Sequence, residues 1–240
     1  MLGSPTVSQA PTAERLLALI DGMAGRVVPV VADLVVDRFV SGAPKRISRE
    51  APVLILRYEG ERIAPGGGAN AVANIAALEG CPLPLGLVGD DGSGRELVAA
   101  LEERDIATGG IRVRPGYRTP TKTRILGGAK GTIKQQIVRL DVEETLALRP
   151  EDREHFARVV TEEAAGAAAV VLSDYGYGSV EPAALAELRR LLPEARILCD
   201  SRFRLPAFRG ADGATPNEEE AEALYGGELE PAGSRDSGGA

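Results

Sequence analysis

The chain is predicted to be an α/β protein: a doubly wound, mostly parallel sheet with a small beta lid. Short runs that are apolar almost throughout, VVPVVAD, LPLGLVGD, AAAVVLSD and ARILCD, alternate with segments of helical periodicity. Such strands, flanked by helices, imply a parallel sheet covered on both faces. Two inserts near 40–63 and 111–141 break the alternation with more polar, strand-like sequence, which suits a second, smaller sheet. A length of 240 residues fits one large domain, or one domain with a small appendage.

Taken in order, residues 1–12 have the Ser, Thr, Pro and Gly composition of a disordered leader, and the domain proper is expected over 13–226. ERLLALIDGM has helical spacing at Leu16, Leu17 and Ile20. VVPVVAD, from Val27 to Asp33, reads as a buried strand with a carboxylate at its end. Lid strands are expected from 36–64, which holds Lys45, Arg46 and Arg49 and the run VLILRYEGER. In PGGGANAVANIAALEG three glycines lead into a helix with Ala71, Ile75 and Leu78 on one face. LPLGLVGDDGSG gives a strand and a turn, and a helix resumes from Arg95 to Arg104. Further lid strands are expected from 111–141, in IRVRPG, TKTRIL and IKQQIVRLD, with Gly127, Gly128 and Gly131 marking a hairpin turn. Pro150 and the acidic residues after it start a helix. Strand AAAVVLSD, helix PAALAELRRLL, strand ARILCD and the segment GATPNEEEAEALYGG follow, and 227–240 reads as a flexible tail.

Composition narrows the function. Hydrophobic content of 44% and charged content of 26% are ordinary for a soluble protein. A net charge of -7 argues against a nucleic-acid partner, yet a few local cations can hold one phosphate inside an acidic protein. Cys81 and Cys199 lack metal-site spacing and read as buried free thiols. The N-terminus has no basic flank or apolar run, and no segment has membrane-spanning character, so a cytoplasmic protein with no membrane partner is expected.

In open parallel sheets, ligands bind beyond the carboxyl ends of the strands. Asp33, Gly89-Asp90, Ser173-Asp174 and Asp200 are expected there. Glycines 66–68 let backbone approach a ligand, and Asn70 and Asn74, one turn apart, can bind polyol hydroxyls. The same residues also fit a plain turn and an asparagine-capped packing helix. Asp33 and Asp37, with Arg38 beside them, suit either ligand binding or capping of the next turn. Lys122, Arg124 and Arg139 either face solvent or grip a sugar phosphate. Asp200, Asn217 and Glu220 offer the oxygen donors a magnesium-water shell wants, while Asn217 and Glu220 equally fit a helix cap. His155, the sole histidine, lies inside an acidic helix and supports no nucleophile-histidine system. Lys130 in GGAKGTIK lacks the Walker spacing of a phosphate loop.

The motifs ADLVVDRFVSG, PGGGANAVANIAALEG, LVGDDGSG, TKTRIL, QQIVRLDVEE, VLSDYGYG, ILCDSR and TPNEEEAEALYG, in this order over 26–226, resemble those of the ribokinase and PfkB-type carbohydrate kinases. Within them the chain is most similar to the heptose kinase domain used in making ADP-heptose for lipopolysaccharide. The resemblance implies a ribokinase-like fold, transfer of the ATP γ-phosphate to a sugar hydroxyl with magnesium, and a homodimer formed through the lid strands. The implied substrate is D-glycero-β-D-manno-heptose 7-phosphate. By the resemblance Asp33, Gly67, Gly68 and Asn70 contact the sugar, and Lys122 and Arg139 approach the substrate and its phosphate. Asn217 and Glu220 match an N-x-x-E motif that organises magnesium and ATP phosphate through water.

Three departures stand out. Tyr177 replaces a lysine, Ala32 replaces a glycine, and the family's Gly-Ala-Gly-Asp motif, which carries the catalytic base and the amides around the transferred phosphate, does not occur. The expectation is therefore a kinase domain whose C-terminal part is missing and which is inactive as it stands. The alternatives are a catalytically dead sugar-binding or dimerising module, and a non-functional gene fragment.

Overall fold

A computed structural model describes residues 12–129 and 131–226. The expected tail, Lys130 and all but the last residue of the expected leader lie outside the described residues. The strands are β1 (Val27–Ala32), β2 (Leu34–Ile47), β3 (Leu54–Gly67), β4 (Cys81–Gly89), β5 (Ile111–Arg114), β6 (Thr121–Gly127), β7 (Gln135–Val142), β8 (Ala169–Asp174), β9 (Arg196–Ser201) and β10 (Gly213–Ala214). The helices are α1 (Ala13–Asp21), α2 (Gly68–Ala77), α3 (Gly92–Glu102), α4 (Pro150–Glu163), α5 (Ala184–Leu191) and α6 (Glu218–Tyr225).

Six strands form the main sheet in the order β10-β9-β8-β1-β4-β5, and every neighbouring pair is parallel. The apolar runs fill its centre. On one face Val31, Leu85, Leu172 and Ile197 meet Phe156 and Val160 of α4 and Leu185 and Leu188 of α5. On the other, Val30, Ala32 and Val88 meet Val72 of α2 and Leu97 and Leu101 of α3. Burying apolar surface on both faces is what lets a parallel sheet be made of nearly continuous hydrophobic runs. Local signals set the helix starts. Asp91 caps α3, its carboxylate accepting the Gly94 N–H at 2.7 Å, and Pro150 opens α4 where no amide donor is needed. No helix among the described residues is long and apolar enough to cross a membrane.

The lid is a four-stranded sheet in the order β3-β2-β6-β7. β2 and β3 are a long antiparallel hairpin, β6 runs parallel to β2, and β7 returns antiparallel to β6. The hairpin leaves the main sheet after Asp33 and re-enters at Gly67 and Gly68. A Cβ on Gly67 would meet a Val35 methyl at 2.6 Å, and one on Gly68 would meet the Ala32 Cβ at 2.5 Å. These glycines are required by the chain's own crossing, whatever else they do.

Four expectations change. IRVR does not belong to the lid. It is β5, the edge of the main sheet beside β4, and its Arg112 and Arg114 reach back to Asp152 on α4. It reads as polar because an edge strand covers little core. The first lid segment is wider than 36–64, running 34–67. Helix α2 starts at Gly68 and buries Ala69 and Val72, while Leu78 is exposed. Cys199 is a buried free thiol, its pKa pushed up to about 12 by burial, but Cys81 is exposed.

Candidate functional site

The carboxyl edge of the main sheet and one face of the lid meet in a cleft of about 340 Å³. Register explains the lid's contribution. Lys122 on β6 pairs with Asp37 on β2 and with Asp141 on β7, and Arg124 pairs with Arg139. Directly paired residues project from the same side of a sheet, so this lid face carries Asp37, Lys122, Arg124, Arg139 and Asp141 together. The cleft is lined from the lid side by Lys122, Arg139, Glu143 and Thr145. The loop after β8 supplies Tyr175, Gly176 and Tyr177, and the turn after β9 supplies Arg202 and Phe203.

The charges are partly paired. Lys122 Nζ lies 3.2 Å from Glu143 and 3.4 Å from Asp141, and Arg139 Nε lies 2.9 Å from Asp141. The Tyr177 hydroxyl donates to the same Glu143 oxygen at 2.7 Å. Burial works against the Lys122 charge, but its contacts with Tyr177 and Glu143 outweigh it and raise its pKa. Those bonds hold the Glu143 carboxyl below its usual range. Lower on the lid, Arg124 pairs with Asp37 at 2.5 Å.

Asp33 sits directly past β1 and is 1% exposed. Its Oδ2 accepts the amides of Tyr175 and Tyr177, each at 2.9 Å, and its Oδ1 accepts that of Ser179 at 2.8 Å. Burial raises its pKa, and the three amides oppose that rise. These bonds let the carboxylate fix the loop that carries Tyr175 and Tyr177. Asp174 does similar work one strand over, accepting Ser201 Oγ at 2.6 Å and pairing with Arg204 at 2.5 Å.

The other expected residues divide. Lys122 and Arg139 come together in the cleft. Asn70 is exposed in the first turn of α2 and does not cap it, since the cap position is Gly67 with no side-chain bond. Asn217 and Glu220 form a capping box on α6: Asn217 Oδ1 accepts the Glu220 amide at 2.8 Å, and Glu220 Oε2 accepts the Asn217 amide at 3.0 Å. Asp200 is half-buried, and burial, with Glu220 and Asp174 nearby, raises its pKa despite a bond from Thr215. Among the described residues no group of three acidic, histidine or cysteine side chains is close enough to ligate a metal. Arg202 and Phe203 escaped sequence reasoning. The available signal was position, because Arg202 stands two residues beyond the strand-end carboxylate Asp200, in the kind of loop that faces a ligand.

A family model described as pfkB family carbohydrate kinase matches residues 28–237. A protein named Bifunctional protein HldE from Mesorhizobium japonicum is 38% identical over 213 residues, covering 88% of this chain and 42% of its own length. Its namesake from Wolinella succinogenes is 34% identical over 203 residues, covering 83% of this chain and 42% of its own. The chain thus spans about two fifths of the length of these curated relatives. Among solved structures, phosphofructokinase-2 from Escherichia coli in complex with substrates and products superposes with a TM-score of 0.62 at 20% identity, over 86% of this chain and 65% of that one. Ribokinase from Arabidopsis thaliana complexed with ribose and ATP gives 0.56 at 16% identity, over 85% and 64%. At these identities the likeness to the solved structures is one of fold: an α/β, ribokinase-like sheet with a small beta lid.

Proposed function

The chain belongs to the pfkB family of carbohydrate kinases, and on that premise we propose that it is the substrate-holding part of an ATP-dependent kinase acting on a sugar phosphate. The substrate we propose is D-glycero-β-D-manno-heptose 7-phosphate, phosphorylated at its anomeric hydroxyl on the way to ADP-heptose. The observation that carries this is the cleft in which Lys122 and Arg139 of the lid face the carboxyl edge of the sheet. Phosphoryl transfer depends mainly on positioning and charge neutralisation, and this cleft offers both. Lys122 and Arg139 hold the sugar's phosphate. Gly67, Gly68 and Asn70 at the start of α2 approach the sugar, and Asp33 keeps the facing loop in shape. ATP with magnesium supplies the phosphoryl group when bound, and Asn217 and Glu220 would hold the ion through water.

The test is isothermal titration of the 240-residue chain with heptose 7-phosphate, the unphosphorylated heptose, fructose 6-phosphate and ribose 5-phosphate. Preference for heptose 7-phosphate is expected. Preference for the unphosphorylated heptose, or for either of the other two sugar phosphates, refutes the proposal.

The proposal includes slow chemistry for the chain as it stands. Its 240 residues contain no Gly-Ala-Gly-Asp, where the family resemblance puts the base and the amides around the transferred phosphate. A hydroxyl attacking phosphorus needs both. A coupled ADP-release assay should find no kinase-like turnover, and a rate of roughly one per second or more would overturn this part.

We also propose a homodimer through the lid. Strand β7 is an edge with Val138 and Leu140 exposed, and such an edge gains from a partner. Sedimentation showing only monomer at micromolar concentration counts against it.

A further inference from the structure

Lys122 and Arg139 share their cleft with a third cation, Arg202, whose charge is used differently. The two lid cations are already engaged, Lys122 with Glu143 and Asp141, and Arg139 with Asp141. Among the described residues the Arg202 guanidinium makes no ion pair and no side-chain hydrogen bond. It lies over the ring of its neighbour Phe203, 5.3 Å from the centroid. Its backbone is not loose, because the Arg202 amide donates to the Asp174 carbonyl at 3.1 Å. The side chain thus starts from a fixed point at the end of β9 and carries a charge that no carboxylate among the described residues pairs.

A free surface arginine is ordinary. Two features set this one apart. It comes from the body of the protein, whereas Lys122 and Arg139 come from the lid, so the three cations approach one space from opposite walls. It also stands among carboxylates. The Tyr175 phenol, which lines the same cleft, lies within electrostatic reach of Asp200, Asp37 and Glu220, and of Arg202 as well. Among the described residues, a phosphate entering the cleft meets in Arg202 a lining cation that no carboxylate has already paired. A phosphomonoester dianion, with three acceptor oxygens, matches convergent donors from two sides, and a guanidinium suits it by geometry as well as charge. An uncharged sugar offers it hydroxyl acceptors but no charge to pair with.

We propose that Arg202 is a specificity-determining residue for the phosphate of a phosphorylated sugar, donating to it from the sheet edge while Lys122 and Arg139 hold it from the lid. The phosphate then ties the lid to the body, and the free sugar does not. This rests on the sugar-phosphate reading above.

The experiment is isothermal titration of the 240-residue chain and its Arg202→Gln and Arg202→Lys variants. The titrants are heptose 7-phosphate, the unphosphorylated heptose, inorganic phosphate and MgATP. Arg202→Gln is expected to weaken heptose 7-phosphate binding roughly tenfold or more, the usual effect of losing a charge-assisted hydrogen bond. Binding of the unphosphorylated heptose and the thermal midpoint should not move. Arg202→Lys should recover part of the loss, and the salt dependence of sugar-phosphate binding should be shallower in Arg202→Gln than in the parent. Unchanged heptose 7-phosphate binding in Arg202→Gln overturns the inference, as does an equal loss for the unphosphorylated sugar. A loss confined to MgATP assigns the residue to the nucleotide and also overturns it. If the parent chain itself shows no preference for the phosphorylated sugar, the substrate reading fails first and the inference falls with it.

Discussion

Strands β4 and β9 lie in the same parallel sheet and read alike in sequence, as short apolar runs, yet they are buried differently. Every residue of β4 after Cys81 is buried. In β9 burial alternates: Ile197, Cys199 and Ser201 are buried, while Arg196 and Leu198 are exposed. The difference comes from what covers each face. β4 has α2 and α3 on one side and the α4–α5 core on the other, whereas β9 joins only the α4–α5 core. Parallel strands are stable in a sheet because both faces are covered, and here that condition holds at the centre and lapses toward β10. The sheet thus has a firm half and a one-sided half, and the cleft draws residues from the edge of the second.

The largest test of that difference is truncation of one leucine in each strand. Leu85 is fully buried and Leu198 is 41% exposed. Leu85→Ala should cost about 3 kcal/mol by removing core contacts, and Leu198→Ala should stay within about 1 kcal/mol, both read by urea unfolding. Equal costs would break the comparison. Hydrogen exchange sharpens it at the level of single amides. Those of β4 should exchange only on global opening, while 196–200 should exchange through a smaller, local one. Protection of 196–200 equal to that of β4 would show that the open face does not loosen the strand.

The smallest effect is a pH dependence at the β9 edge. Asp212 accepts the Ile197 amide at 2.7 Å and pairs with Arg189 and Arg196. The amide bond, then Arg189, holds its carboxyl down at about 2, against a usual 3.8. A carboxyl depressed by folding stabilises fully above its unfolded value and loses that contribution as pH falls through its folded value. Exchange at Ile197, corrected for intrinsic rate, should therefore be constant above about pH 5 and accelerate below pH 4. Asp212→Asn should abolish the acceleration, and a variant that retains it would assign the effect elsewhere.

The sheet's centre was legible in sequence because strands buried on both faces show near-continuous apolar runs, as in VVPVVA and the AVVL of AVVLSD. β5 was not, since an edge strand such as IRVR shows the same alternation of charge as a lid strand. Pairing decides between the two, and pairing is tertiary. Lys122 and Arg139 were legible through TKTRIL and QQIVRLDVEE, which resemble family motifs, whereas the pairing that brings them to one lid face is tertiary. Arg202 sits singly in a turn, where one arginine carries no pattern. For Asn217 and Glu220 the three-residue spacing was correct, and in the structure it serves the start of α6. Asp33 was correctly placed at a strand end, but its three amide partners lie in a loop that local sequence does not connect to it.

That last bond also sets an order in time. The amides of Tyr175, Tyr177 and Ser179 lie 142, 144 and 146 residues after Asp33. On a ribosome adding about 5–20 residues per second, they emerge roughly 7–30 s after the carboxylate they satisfy. The first core strand, the lid and β4 can be assembled in that interval. Until the loop arrives, Asp33 is a strand-end acid without its donors, and one wall of the cleft does not exist. The nascent chain therefore gains its lid before it gains the opposite wall of the cleft.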